Sequence, residues 1–317
     1  MSEPAERSMG VLVLGAGRSG TSTLARALMA LGVELGSRLK RPTRKNPRGF
    51  FEEVNLLAIS KRVRRALGLR AEHVRLLTEE DWKNARLDGL RRGMRRAIEA
   101  AMGGADVWGF KYAGTGRLLP FWLPLLEEMN IRPAFVLAYR NPLSIAASRR
   151  QLDAERGQQE KNDLEWLANL VPYLHLTRGH PLVVVDYDRL LQDPRRELDR
   201  LSRMLGVSPT PRAIAAFVDD FLSPSLRHNQ FDAAALKTDR SLHPLVRRGA
   251  LLLDALAGED GPPDDAFWEC WANLRLALYD GMDHHAEVDR QIDGRRRARW
   301  WDVGTPLKRA WQARPIA

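Results

Sequence analysis

Met9–Leu28 reads MGVLVLGAGRSGTSTLARAL. The apolar run Val11–Leu14 predicts a buried parallel strand. It meets a glycine-rich turn at Gly15, Gly17 and Gly20. The hydroxyl residues Ser19, Thr21, Ser22 and Thr23 follow, and then a helical pattern to Leu31. A strand that feeds a tight turn into a helix start makes an anion site. The first amides of the helix lack partners within it, and the helix dipole favours negative charge there. Three ligand readings fit the turn. Gly15-Ala16-Gly17-Arg18-Ser19-Gly20 satisfies the G-x-G-x-x-G of dinucleotide sites, but those also need an acidic residue closing a second strand about 20 positions on. The segment Gly32–Gly49 is basic and contains Pro42 and Pro47, with Glu34 its one carboxylate. The spacing of Gly15 and Gly20 also suits a Walker A loop, but Thr21 stands where the phosphate-clamping Lys belongs. The third reading keeps the phosphate loop and moves its cation inside, to Arg18. The bland alternative is a strand–turn–helix with no ligand, although four hydroxyls exceed what one helix cap requires.

Around this loop, apolar runs predict strands at Val107–Lys111, Ala134–Tyr139 and Leu182–Val185. Helices are predicted at Phe51–Leu67, Asn84–Ala101, Leu118–Met129, Asn141–Gln151, Leu164–Leu176 and Asp193–Leu205, the last stopped by Gly206. Strands alternating with helices predict an α/β fold with a parallel sheet flanked by helices. The remainder, from about residue 209 to 317, reads as a helix-rich C-terminal extension with a break at Gly258–Asp265. The whole of 1–317 is expected to form one domain with that extension.

Composition narrows the class. A chain of 317 residues with 44% hydrophobic and 28% charged residues can bury a full core and is not disordered. No run is long and apolar enough for a membrane span, and the polar start carries no signal-peptide pattern. The single Cys270 excludes an internal disulfide and fits a reducing cytoplasm. No His, Cys or carboxylate spacing suggests a metal site. The formal net charge of +10 implies an anionic partner. Nucleic acid is not expected, because no DNA- or RNA-binding pattern accompanies the basic clumps. Basic residues interleaved with Trp300, Trp301 and Trp311 in the Arg295–Arg314 tail suit contact with a membrane surface; a packed terminal helix is the plainer reading.

Ligands of open parallel sheets sit beyond the carboxyl ends of the strands. Arg140 falls at the tip of the third strand. Ser148 lies two helical turns further on, with Ser144 roughly on its face. A guanidinium and a hydroxyl so placed can hold a second phosphate. Lys111 ends the second strand and faces the same edge.

Gly17-Arg18-Ser19-Gly20-Thr21-Ser22 resembles the 5′-phosphosulfate loop of the sulfotransferases that use 3′-phosphoadenosine 5′-phosphosulfate (PAPS). Arg140-Asn141-Pro142 with Ser148 resembles their 3′-phosphate motif, and Tyr187–Pro194 continuing to Gly206 is similar to their strand–turn–helix segment. Asn46-Pro47-Arg48-Gly49-Phe50-Phe51-Glu52 and Ser223–His228 look most like the bacterial carbohydrate-type members. The resemblance implies a P-loop-type sulfotransferase fold, with sulfuryl transfer from PAPS to a hydroxyl by in-line displacement. PAP is the product and no metal takes part. It implies that Gly17 to Ser22 hold the 5′-phosphate, with Arg18 neutralising its charge, and that Arg140 and Ser148 hold the 3′-phosphate. Glu52 is the implied general base, with Glu53 second and Glu34 a distant third. Lys45 and Arg48 are expected to keep Glu52 charged. A cap for the following helix is the competing role for Glu52. Many relatives continue Lys-Asp-Pro-Arg where this chain has Lys111-Tyr112-Ala113-Gly114, so Arg117 is the candidate replacement for the missing Arg. Arg227 and His228 are further candidates for the donor. The implied acceptor is a saccharide or lipid-linked glycan. A P-loop kinase or an inactive nucleotide-binding protein is the rival class.

Overall fold

A computed structural model describes residues 8–43, 46–70, 72–154, 157–222 and 231–294. Four parallel strands form one sheet in the order β2-β1-β3-β4. They are β1 (Met9–Leu14), β2 (Val107–Lys111), β3 (Arg132–Tyr139) and β4 (Leu182–Asp186). The register sets Val13 beside Lys111, Leu14 beside Leu137, and Tyr139 beside Asp186. Residues following all four strands therefore emerge along one edge. β1 connects onward to β2 on one side, and β3 connects to β4 on the other. The crevice between β1 and β3 is where open α/β sheets bind ligands.

Helices cover both faces: α1 (Thr21–Ala30), α2 (Val54–Ala66), α3 (Glu79–Trp82), α4 (Arg86–Met102), α5 (Leu119–Glu128), α6 (Pro142–Arg150) and α7 (Gln159–Leu170) come first. Then follow α8 (Tyr187–Gln192), α9 (Pro194–Leu205), α10 (Pro211–Ala215), α11 (Ala233–Thr238), α12 (Pro244–Leu256) and α13 (Asp265–Asp280). Residues 282–294 are also helical. Alternate side chains divide the core, as the two-residue period of a strand requires. Leu12, Leu14, Phe110, Phe135 and Leu137 face the larger cluster, which includes Trp122 of α5, Trp166 of α7 and Trp271 of α13. Val11, Val13, Val136 and Val185 face the smaller one, under α1 and α9. Among the described residues, no helix is long and apolar enough to cross a membrane.

Two predicted helices shift. Phe51–Leu67 starts late, at Val54, because Phe51 takes a left-handed φ of 55° and Glu53 accepts from the amides of Asn55 and Leu56 at 2.8 Å each. Leu164–Leu176 is displaced. Its α-helix begins earlier and ends at Leu170, and a 3₁₀ turn takes up Leu174–Thr177 beyond Pro172, whose ring cannot continue the hydrogen-bond ladder.

Candidate active site

The turn after β1 is held open from within. Gly15 has a φ of 136°, Arg18 of 76° and Gly20 of 92°. The Ser19 amide and hydroxyl both bond the Ala16 carbonyl, at 3.1 and 2.7 Å. That hydroxyl, expected to face a ligand, instead braces the loop. A Cβ on Gly20 would stand 2.2 Å from Cδ2 of Tyr187, so any side chain there must displace that ring and strain the backbone. α1 then starts with no side-chain cap and no acidic residue in its first turn. Its first amides keep their capacity for an anion.

Guanidinium groups converge on the loop. Arg18 Nε donates to Ser148 Oγ at 3.2 Å. Arg140 Nη1 donates to the Arg18 carbonyl at 3.4 Å, and its guanidinium lies 4.6 Å from the centre of the Tyr187 ring. Arg149 donates to the Gly17 carbonyl at 3.2 Å and to Glu165 Oε2 at 2.5 Å. Burial, then Arg140, holds the Arg18 guanidinium below its ordinary pKa, with Tyr187 acting the other way. Packing like charges this closely is unfavourable, and a bound anion relieves it. The sequence suggested separate partners for Arg18 and Ser148. In the structure they touch, so the side chains expected to serve two anion sites adjoin at the tips of β1 and β3. Neither Arg149 nor Tyr187 carries a local sequence signal for contact with the loop. Arg149 adjoins Ser148, and Tyr187 opens the segment after β4, so both were visible only by position.

Glu52 lies beside this crevice, 5% exposed, and Lys111 is 3% exposed. Glu52 Oε1 meets Lys111 Nζ at 3.0 Å and Oε2 meets Lys40 Nζ at 3.3 Å. Lys40 Nζ also lies 3.6 Å from the centre of the Phe50 ring. The strap bearing Glu52 closes on itself: the Lys40 amide bonds the Glu52 carbonyl at 2.8 Å and the Val54 amide bonds that of Arg38 at 3.0 Å. Asn46 Nδ2 ties the strap to α1 through Ser22 Oγ at 3.2 Å. Burial lowers the pKa of Lys111, while Glu52 raises it.

Several expectations need correction. Glu53, not Glu52, caps α2. Arg48 donates to the Phe221 carbonyl and lies over that ring, so it does not attend Glu52; Lys40 and Lys111 do. Lys45 lies outside the described residues. Arg117 donates to the carbonyls of His73 and Arg75, where it holds a loop instead of replacing the missing Arg. Glu34 bridges to Trp108 within β2, and its carboxylate accepts from the Gly36 amide at 2.6 Å, so it stands away from the crevice. Ser144 accepts from the Phe231 amide at 3.2 Å. Arg227, His228, the Ser223–His228 phrase and the Arg295–Arg314 tail lie outside the described residues.

No protein-family model matches the chain, and no curated protein matches it. In structure it is similar to the sulfotransferase domain of the olefin synthase of Synechococcus PCC 7002. That match has 19% identity and a TM-score of 0.41, over 82% of this chain and 98% of that one. A sulfotransferase of Mycobacterium tuberculosis H37Rv matches with 16% identity and a TM-score of 0.42, over 69% of this chain and 73% of that one. The sulfotransferase domain from the curacin biosynthetic pathway matches with 16% identity and a TM-score of 0.40, over 84% of this chain and 98% of that one. At these identities and scores the likeness says nothing about activity.

Proposed function

We propose that this chain transfers a sulfuryl group from PAPS to the hydroxyl of a saccharide or lipid-linked glycan, releasing PAP. One observation carries the reading. Arg18, Ser148 and Arg140 come together beside the uncapped start of α1, in the segments that follow β1 and β3. The donor set suits PAPS, which bears anionic groups at both ends and supplies the activated sulfuryl group. Gly17 to Ser22 and Arg18 would hold its 5′ end, and Arg140 with Ser148 its 3′-phosphate. Both sets use fixed cations and amides, which stabilise developing negative charge without reorganising. No metal is required by this arrangement.

Glu52 is the general base of the proposal. Each of its carboxylate oxygens keeps an acceptor position beyond its lysine contact, so Oε1 or Oε2 can take the acceptor's hydroxyl proton. Lys111 Nζ spends one of three donors on Glu52 and has two left to steady negative charge at the strand tips. Lys40 and Lys111 also fix the rotamer of the carboxylate, which positions it before any acceptor arrives.

The experiment is incubation of the purified chain with ³⁵S-labelled PAPS and a panel of glycans, glycolipids and phenols, with label transfer followed in parallel for Glu52→Gln. Transfer to a saccharide hydroxyl, lost in Glu52→Gln while PAP still raises the melting temperature, is the expected result. Undiminished turnover by Glu52→Gln removes Glu52 as the base. Stabilisation by Mg-ATP in preference to PAP overturns the sulfuryl-donor reading and favours a kinase-like protein.

A further inference from the structure

A cavity of about 500 Å³ adjoins the anion loop, sharing Gly17 and Arg149 with it and extending from there along α2. It opens against Gly17 of the loop on one side and against Tyr112, the residue after Lys111, on the other. Its wall is one face of α2. Lys61, Arg64 and Arg65 recur there at the three- and four-residue spacing that aligns side chains on a helix.

The lining is strongly basic. Lys61, Arg64, Arg65, Arg70 and Arg149 face one carboxylate, Glu165, and Arg149 already holds it. Arg64 is fixed by neutral partners: it donates to Tyr112 Oη at 2.5 Å and to the Arg70 carbonyl. Among the described residues, Lys61, Arg64 and Arg65 have no carboxylate within ion-pair distance, and Arg70 has only the partly exposed Asp293. A guanidinium held rigidly by a phenol and a carbonyl is preorganised for an oxyanion. Leu69, Tyr112 and Ala113 supply the apolar part of the lining, against which a sugar ring can stack while its anionic groups meet the cations. Among the described residues, no strand residue lines it to pair with a peptide backbone.

The geometry also sets the size of the ligand. Lys61 stands eight positions beyond the cap at Glu53, about 12 Å along the helix axis. The anionic group read by this wall is therefore remote from the hydroxyl that reacts beside Glu52. We infer that the acceptor is an acidic oligosaccharide, whose carboxylate or sulfate groups dock on Lys61, Arg64 and Arg65 while a hydroxyl further along the chain reaches Glu52. This inference rests on the sulfuryl-transfer reading of the crevice.

The test is titration calorimetry of the full chain, with and without PAP. The probes are a hyaluronan hexasaccharide (carboxylates only), a heparin-derived hexasaccharide (sulfates and carboxylates), maltohexaose (neutral) and oligoglutamate. The variants are Lys61→Glu/Arg65→Glu, the milder Lys61→Ala/Arg65→Ala, and a control pair, Arg92→Glu/Arg96→Glu, on the exposed face of α4. At least one acidic hexasaccharide should bind, and maltohexaose should not. The α2 charge reversal should weaken that binding at least tenfold, its alanine pair severalfold, and the α4 pair less than twofold. The PAP-induced rise in melting temperature should be equal in all variants, which also shows that they are folded. Binding of hyaluronan identifies carboxylate as sufficient; binding of heparin alone identifies sulfate. Equal losses from the α2 and α4 reversals, equal binding of maltohexaose, or equal binding of oligoglutamate overturns the inference. A wild-type chain that PAP does not stabilise, yet whose acidic-saccharide binding depends on α2, would defeat the donor reading and leave the saccharide surface standing.

Discussion

At the level of single residues, the claims separate by what each side chain touches. Arg18 and Arg140 serve the proposed donor, so Arg18→Ala or Arg140→Ala should each weaken PAP binding by about 10- to 100-fold, the range for losing one or two charge-assisted hydrogen bonds, as titration calorimetry would read. Glu52→Gln should leave that affinity within about twofold and reduce the turnover number by roughly 10²–10⁴, the usual span for a general base. Gly20→Ala tests the loop itself. Its Cβ would strike Tyr187 and its φ of 92° is unfavourable for any side chain, so melting should show a loss of roughly 1–3 kcal/mol together with weaker PAP binding. If Gly20→Ala melts like wild type and binds PAP equally, the close packing of Tyr187 on the loop is wrong.

At the level of elements, the sheet and the anion loop were legible because both rest on local signals. A four-residue apolar run, glycines at three defined places and the Asn141-Pro142 cap each declare themselves within a few residues. The partners of Glu52 were not legible, since Lys40 meets it through a strap that folds back on itself and Lys111 through the register of β2. Nearness in sequence favoured Arg48, but Arg48 goes to Phe221, 173 positions away. Whether Glu52 or Glu53 capped α2 was equally closed, because only the left-handed Phe51 fixes the helix start. α7 shows a further consequence of packing. Its Asp163 accepts from Gln159 and from the His243 amide at the start of α12, and burial pushes its carboxyl up to about 6. A carboxyl that keeps its proton to higher pH when folded than when unfolded stabilises the fold below about pH 4. It loses that contribution as pH rises through 6. Asp163→Asn should therefore flatten the denaturant-measured stability profile between pH 4 and pH 6, by on the order of 3 kcal/mol across the window.

At the level of the whole molecule, the helices after residue 239 share the larger core cluster with the sheet. Trp271 of α13 donates to the Val171 carbonyl at 3.2 Å, and Gly249 of α12 lets Trp166 and Leu274 approach within 3 Å of where a Cβ would stand. Gly249→Val should wedge α12 from α7 and lower the stability of the entire chain by roughly 1–3 kcal/mol in one cooperative transition. Two transitions, with only the second part of the chain affected, would contradict a shared core. The crevice is likewise a property of the assembled molecule, since β1, β3, α1 and α6 each bring one piece of it. Its central claim is that Arg140 reads a 3′-phosphate while Arg18 reads a 5′ one. The most direct measurement is titration of PAP and of 5′-AMP, without magnesium, into the wild type and into Arg140→Ala. PAP should bind the wild type at least tenfold more tightly than 5′-AMP, and Arg140→Ala should erase this difference while leaving 5′-AMP binding nearly unchanged. Equal affinities for the two nucleotides in the wild type, or an equal loss for both in Arg140→Ala, would contradict it.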